Sequence, residues 1–465
     1  MFIDNPTYSP GRFVMLRRWF TVLLLCTLVP TSLIGCEVQE IQEDDMLLLG
    51  EGEAEIILDE TETRYVAGFK SGLAADGIAD LPRVKAVSIR QGNKLYMLLS
   101  VDCIALASGT VDDLRDCILN ELPEHAEIHI VSTHNHAGPD TLGLWGLTGI
   151  DGKNKHDMES LKKAAAAAGR TAYDDMRGGK FYFSSVDCTD MIEDTRKPIV
   201  YDGNAYVFRF APNDGSVDTR LILFPSHAES LGGENTEISA DFPAYIAKTI
   251  SEKTGGRALY FPGAIGGLLR TVTLAEDSME NCRLTGEKIA ERILSNDTET
   301  LLDSKISIYT EKVNVSCDNT LFRGMKFLGV LENKVTSMFG NVNIQTTVSL
   351  LRIGDKKILL LPGEIFPELV YGTDPTFVPV NKDKEDPVPL TDILGDDLLV
   401  IGLCDDEIGY IVPPSDFLLD ENAPYLTTPP RDGNDENHYE ETNSAGENTA
   451  WAIEKAVRKL AGLLD

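Results

Sequence analysis

A mixed α/β fold, with central mixed β-sheets flanked by helices, is predicted by three features of this chain. From residue 64 to 460, short apolar runs alternate with helical patterns, the mark of an α/β or mixed α+β domain. Polar, proline-rich stretches at 372–392 and 418–447 interrupt that pattern without dividing it into two domains. No repeat of fixed period is present, which excludes solenoid architectures.

The strand candidates, in order, are Lys85–Ile89, Leu95–Ser100, Glu127–Ser132, Leu221–Phe224, Ala258–Phe261, Lys357–Leu361 and Leu398–Leu403. Each is a short apolar run bounded by polar or turn-forming residues. The helix candidates are Met158–Tyr173, with its run of five alanines, Phe242–Glu252, Asn281–Leu294 and Asn448–Leu464. Asp241 is placed to cap the second helix, with Pro243 in its first turn, where a missing N–H costs little. The segment 418–447 reads as a long surface loop, and loops of that length in a compact domain are often functional.

At 465 residues, 43% hydrophobic and 25% charged, the chain has a globular composition, which excludes wholesale disorder. The 74 acidic residues against 42 basic ones leave a net charge of −32. Nucleic acid is therefore excluded as a partner, because phosphate backbones need a basic footprint. Anionic headgroups are disfavoured for the same reason; a neutral or cationic partner fits better.

Arg12, Arg17 and Arg18 precede the apolar run 19–29, the layout of an export signal. Pro30-Thr31-Ser32 ends that run too early for a membrane-spanning helix, which needs about 20 apolar residues. Leu33-Ile34-Gly35-Cys36 resembles the lipobox of bacterial lipoproteins, so residues 1–36 are expected to be a signal peptide and Cys36 the lipid-bearing first residue. A plain signal peptide with an incidental cysteine is the alternative. The mature chain would be membrane-anchored, periplasmic or at the cell surface, with residues 37–63 as an acidic tether and 64–465 as a single catalytic domain. Six cysteines remain, none in a C-x-x-C pair, so no disulfide scaffold is expected.

Chemistry collects where strands end. Glu127–Ser132 leads to Thr133-His134-Asn135-His136-Ala137-Gly138-Pro139, and Leu221–Phe224 to Pro225-Ser226-His227. Ala258–Phe261 leads to Pro262-Gly263-Ala264-Ile265-Gly266-Gly267, Lys357–Leu361 to Pro362-Gly363-Glu364, and Leu398–Leu403 to Cys404 and then Tyr410. Ligand sites of open α/β sheets lie at such carboxyl ends. His-x-His places two imidazoles on one side of an extended segment; both can face a metal, or one can bind while the other handles protons. With His227 and Glu364 they make a donor set suited to an open catalytic Zn²⁺ site. His125 and His129 read as structural, and His156 and His438 as residents of polar loops.

These residues carry a family resemblance. The segment 133–139 resembles the T-H-T-H-S-G-P motif of neutral ceramidases, zinc amidases that hydrolyse N-acylsphingosine. In the same chain order, Thr195-Arg196-Lys197-Pro198 resembles the family's N-R-S-P, His227 with Ile238-Ser239-Ala240-Asp241 its second histidine and I-S-G-D, and 263–266 its glycine turn. Pro362-Gly363-Glu364 resembles its P-G-E, Gly402-Leu403-Cys404 with Tyr410 its G-L-C and metal-binding tyrosine, and His438-Tyr439-Glu440 its R-Y-E. The resemblance implies one Zn²⁺ held by His134, His227, Glu364 and Tyr410, with His136 as proton carrier, Tyr439 as a donor to the developing oxyanion and Arg196 lining the substrate cleft. Asp241 is a candidate to orient a zinc-binding histidine.

The chain also departs from the family. Leu269 stands where the family has a serine assigned to catalysis, and Gly267 where it has an aspartate. A leucine is neither nucleophile nor hydrogen-bond donor. The C-terminal β domain of the ceramidases is absent from the reading of 64–465. The expected function is zinc-dependent hydrolysis of an N-acyl amide by metal-activated water, on a lipid-like substrate. The alternatives are a metallohydrolase of another amide or ester, and a non-catalytic, lipid-anchored binding protein.

Overall fold

The computed structural model describes residues 46–147, 150–338 and 341–464. The expected signal peptide, Cys36 and the segment 37–45 lie outside the described residues. A nine-stranded mixed sheet runs in the order Arg257–Pro262, Thr219–Phe224, Asn204–Pro212, Arg177–Asp187, Leu47–Glu55, Arg83–Gln91, Lys94–Val101, Glu127–Ser132, with Thr300–Leu301 pairing Arg177–Asp187. A five-stranded sheet runs Ile306–Ser316, Asn341–Ile353, Lys356–Leu360, Leu399–Ile401, with Val335–Met338 on its second strand.

Both sheets are apolar on two faces, and this produces layers. One core cluster joins Val87, Leu98, Phe208 and Phe261 of the large sheet to Ile306, Leu351, Ile358 and Leu399 of the small one, so the sheets pack face to face. The outer face of the large sheet is covered by helices Ser108–Glu121 and Lys155–Asp174 at one end and Asp241–Thr254 and Ser278–Ser295 at the other. Helix Thr449–Ala461 covers the small sheet through Ile453, Val457 and Leu460. Burial on both faces explains why the strands read as continuous apolar runs.

All seven predicted strands and four predicted helices are present, with ends shifted by a few residues. Asn154 starts the helix Lys155–Asp174 three residues before the apolar pattern does, by accepting from the amides of His156 and Asp157. Five long strands escaped the pattern, besides several of two to four residues: Leu47–Glu55, Arg177–Asp187, Asn204–Pro212, Ile306–Ser316 and Asn341–Ile353. They carry Gly, Ser, Asn or charged residues between their apolar ones, and antiparallel pairing rather than an apolar run defines them.

The tether expectation for 37–63 is corrected at its second half. Leu47–Glu55 is an interior strand, paired with Arg83–Gln91 and Arg177–Asp187. Gly50 and Gly52 serve close packing there, since a Cβ on Gly50 would lie 2.2 Å from the Ala172 carbonyl. Asp241 is also corrected. It has φ 55° and makes no cap bond to its helix in the usual sense. Its Oδ1 accepts from the Ser230 amide and hydroxyl and from the adjacent Phe242 amide, and its Oδ2 from the Leu231 amide, so it braces the segment that follows His227 and makes no hydrogen bond to a histidine among the described residues. All six described cysteines are free. No helix among the described residues is long and apolar enough to cross a membrane.

Candidate metal centre

The segment after Glu127–Ser132 is held by backbone bonds on both sides. The Thr133 amide donates to the Val101 carbonyl, the Asn135 amide to Cys103 and the His136 amide to Ala228. Asn135, fully buried, donates its Nδ2 to the Ser239 carbonyl and accepts the Ala137 amide. A parallel bridge joins Asn135 to Ala228, which sets His134 and His136 beside His227. The segment is not extended as expected: His134 has φ 59°, a left-handed conformation rare for a non-glycine residue. That turn, rather than strand alternation, brings the two rings together, with centroids 4.7 Å apart. Gly68 makes room for them, since a Cβ there would lie 2.5 Å from His136 Nδ1.

Ring orientation is set by the backbone. His134 Nδ1 lies 2.9 Å from the Ile104 carbonyl and His227 Nδ1 2.7 Å from the Leu269 carbonyl. A carbonyl only accepts, so both Nδ1 atoms carry a proton and both Nε2 atoms point inward. There they meet one carboxylate oxygen: Glu364 Oε2 lies 3.3 Å from His134 Nε2 and 3.1 Å from His227 Nε2. Burial pushes the Glu364 carboxyl upward, but the two imidazoles outweigh it and hold the group below its ordinary range. Glu364 also sits in a two-residue parallel pairing, Glu364–Ile365 with Tyr410–Ile411, which places Tyr410 directly beside it. Burial and then Glu364 push the Tyr410 phenol well above its usual value.

The ring nitrogens of His134, His136 and His227 offer ligand atoms within 4.8 Å of one another. His134 Nε2 is buried without a hydrogen-bond partner. Two imidazoles and a carboxylate converging on one point are the donor set of an open, three-ligand Zn²⁺ shell. His136 has both ring nitrogens buried and unpartnered, with Glu229 at 3.7 Å from Nδ1. Burial, then His134 and His227, push it well below the usual imidazole value, so its ring is neutral.

A cavity of about 90 Å³ opens on these groups. Ile104, Leu142, Leu144, Trp145, Phe322 and Leu331 form its apolar wall, and Tyr439, Asn333, Asn443 and Glu407 its polar one. Tyr439 stands at the mouth, its phenol pushed up to about 12 by burial and then Glu364, and is a hydrogen-bond donor at neutral pH. Glu407 escaped the sequence reading, since Asp405-Asp406-Glu407 carries no spacing signal of a site.

Leu269 is fully buried and reaches the site through its backbone, since its carbonyl accepts both the amide and Nδ1 of His227. Arg196 is corrected: it does not line the cavity. It is 2% exposed and pairs with Asp416 at 2.9 Å, Glu440 at 2.9 Å and Glu441 at 2.8 Å, while its guanidinium lies 4.8 Å from the Phe366 ring centre. His438, in the loop before the helix as expected but fully buried there, adds a 2.7 Å contact to Glu441. Arg196 therefore fixes the turn Tyr439–Thr442 and hence the Tyr439 side chain. His129 is structural as expected, and His125 and His156 are exposed.

No family model and no curated protein matches this sequence. Solved structures do. The crystal structure of neutral ceramidase from Pseudomonas aeruginosa superposes with a TM-score of 0.68 at 14% identity, covering 91% of this chain and 75% of that one. A ceramidase structure complexed with C2 matches with a TM-score of 0.66 at 14% identity, covering 90% and 75%. This chain has the neutral ceramidase fold. Within a ceramidase fold, the ordered motif matches gain a three-dimensional meaning: the segments at 133–139, 227, 364 and 410 meet at one point despite long separations in the chain.

Proposed function

We propose that this protein is a divergent neutral ceramidase-family member that hydrolyses the N-acyl bond of a linear amide with a single Zn²⁺. One observation carries the reading: two imidazoles, turned by backbone carbonyls, present both Nε2 atoms to Glu364 in the wall of a half-apolar cavity. His134, His227, Glu364 and Tyr410 would hold the metal. When bound, it would supply Lewis acidity and lower the pKa of a water to about 7.

The chain's own groups perform the rest. The neutral His136 ring takes a proton at a free ring nitrogen and returns it to the departing amine nitrogen. Tyr439 donates its phenolic hydrogen to the acyl oxygen as negative charge develops there, a contact typically worth about 10²–10³ in rate. The wall from Ile104 to Leu331 receives the acyl group and keeps bulk solvent out of the cleft, leaving room for the one attacking water. Arg196 holds the Tyr439 turn in place.

Leu269 favours water over a side-chain nucleophile, and the cavity of about 90 Å³ favours a short acyl group, or one whose distal end stays outside. Ligand pockets usually measure about 300–1,000 Å³. A metallohydrolase of another amide or ester is the second reading. Fluorogenic amides and esters of short and long chain, assayed with and without chelator, test both. Chelator-sensitive amide cleavage supports the first reading, and esterase activity alone the second; stoichiometric zinc without any turnover identifies a binding protein. We also infer export and anchoring through Cys36, on the strength of the signal and lipobox residues. Labelled palmitate should be incorporated by the full chain and lost in Cys36→Ala.

A further inference from the structure

The polar wall of the cavity has a sign. Among the described residues, no Lys or Arg side chain lines it, whereas Glu364 and Glu407 both do, and Glu229 stands behind His136. Glu364 is committed to the two histidines. Glu407 is not. Its Oε1 accepts the Gly409 amide at 2.6 Å, and its backbone carbonyl accepts Asn333 Nδ2 at 2.8 Å, which fixes the residue from both ends. Its Oε2 is shielded from solvent and has no partner. An acceptor held rigidly with one oxygen unpaired awaits a donor from the ligand. Asn333 is itself pinned by Asp406 at 2.7 Å, so the arrangement does not depend on a mobile loop.

We propose that Glu407 is the specificity-determining residue for the leaving amine: it accepts a hydrogen bond from an N–H, ammonium or hydroxyl group of that amine, and the cleft takes N-acyl amines with neutral or cationic head groups while rejecting those bearing carboxylate or phosphate. This rests on the amidohydrolase reading above and narrows it to a substrate class. A hydroxylated or amino head group supplies the donor that Oε2 lacks. An anionic head group supplies none, and the wall offers it no Lys or Arg side chain as a partner.

Three probes of equal acyl length decide the matter: N-hexanoylethanolamine (neutral), N-hexanoylethylenediamine (cationic) and N-hexanoylglycine (anionic). With the full chain, kcat/KM for the first two should exceed that for the third by about tenfold or more. Glu407→Gln keeps an oxygen for the Gly409 amide; it should lower kcat/KM for the cationic probe by about tenfold, mainly through KM, and shrink the gap to the anionic one. Equal turnover of all three by the unaltered chain, or an unchanged preference in Glu407→Gln, overturns the proposal. Thermal shifts with the same probes keep this test separate from the function itself. If no amide is cleaved, the amidohydrolase reading fails, and selective stabilisation by the neutral and cationic probes, lost in Glu407→Gln, still supports Glu407. Stabilisation by the anionic probe equal to that by the others counts against it.

Discussion

Two buried clusters in this molecule have nearly the same ingredients and opposite uses. His134, His136 and His227 gather with Glu364 at the cavity; His129, Cys404 and Asp405 gather at the edge of the large sheet, with ligand atoms likewise within 4.8 Å. In the second cluster every strong valence of the carboxylate is spent. Asp405 Oδ2 meets His129 Nδ1 at 2.7 Å, and Oδ1 accepts from the Ile130 amide at 2.9 Å and Arg115 at 2.7 Å. Burial pushes the Cys404 thiol up to about 12, so it stays protonated and a poor ligand. In the first cluster the Nδ1 atoms of His134 and His227 are spent on carbonyls, their Nε2 atoms converge on Glu364 beside a cavity, and both ring nitrogens of His136 are unpartnered. Composition alone does not make a metal site; spare lone pairs with access do.

The contrast can be broken most forcefully at the histidines. His134→Ala or His227→Ala should abolish stoichiometric zinc and lower amide hydrolysis by about 10³-fold or more, since catalysis and metal binding share the same atoms. Metal analysis beside a rate assay checks this, and full zinc in either variant would erase the distinction between the clusters. Arg196→Ala comes next. It leaves Asp416, Glu440 and Glu441 buried without their cation and should destabilise the fold by about 3–5 kcal/mol in urea titrations. Because Tyr439 loses its support, kcat should fall more than zinc content does.

Asp405→Asn probes the spent cluster from its own side. Zinc content should not change, while stability should fall by about 2–4 kcal/mol. The pH dependence has a definite sign. Burial opposes the charge on His129, but Asp405 holds the imidazole well above its ordinary value of 6.5. A folded pKa above the unfolded one contributes stability that is complete below pH 6.5 and fades as pH rises toward the folded value. Melts between about pH 6 and 9 should show that fade in the unaltered chain and not in Asp405→Asn. The smallest effect on chemistry is expected at Leu269→Ser, where the carbonyl that orients His227 is retained. Hydrolysis should change by less than about threefold, whereas a buried hydroxyl in place of leucine should cost about 2–4 kcal/mol of stability. A large gain in rate would point to a side-chain nucleophile instead.

Much of the site was legible before any coordinates. His134, His136, His227 and Glu364 stand out because they follow apolar runs that had to be strands, and strand ends are where such sheets bind ligands. Tyr410 was reachable only through the family motif, since a tyrosine after a glycine carries no spacing signal. Glu407 and the burial of Arg196 were invisible. Asp194 and Lys197 beside Arg196, and Asp405 and Asp406 beside Glu407, give both neighbourhoods the look of solvated turns, yet the Arg196 side chain and Glu407 Oε2 are buried.

The sequence by itself determined the types of the most apolar elements, the acidic balance and the set of metal-competent side chains, because each depends on local pattern and composition. Tertiary structure alone decided which lone pairs are free. The carbonyl that turns His134 lies 30 residues away along the chain and the one that turns His227 lies 42 away. A residue's valence is spent by whatever packing sets against it, and that partner is not written in its neighbours.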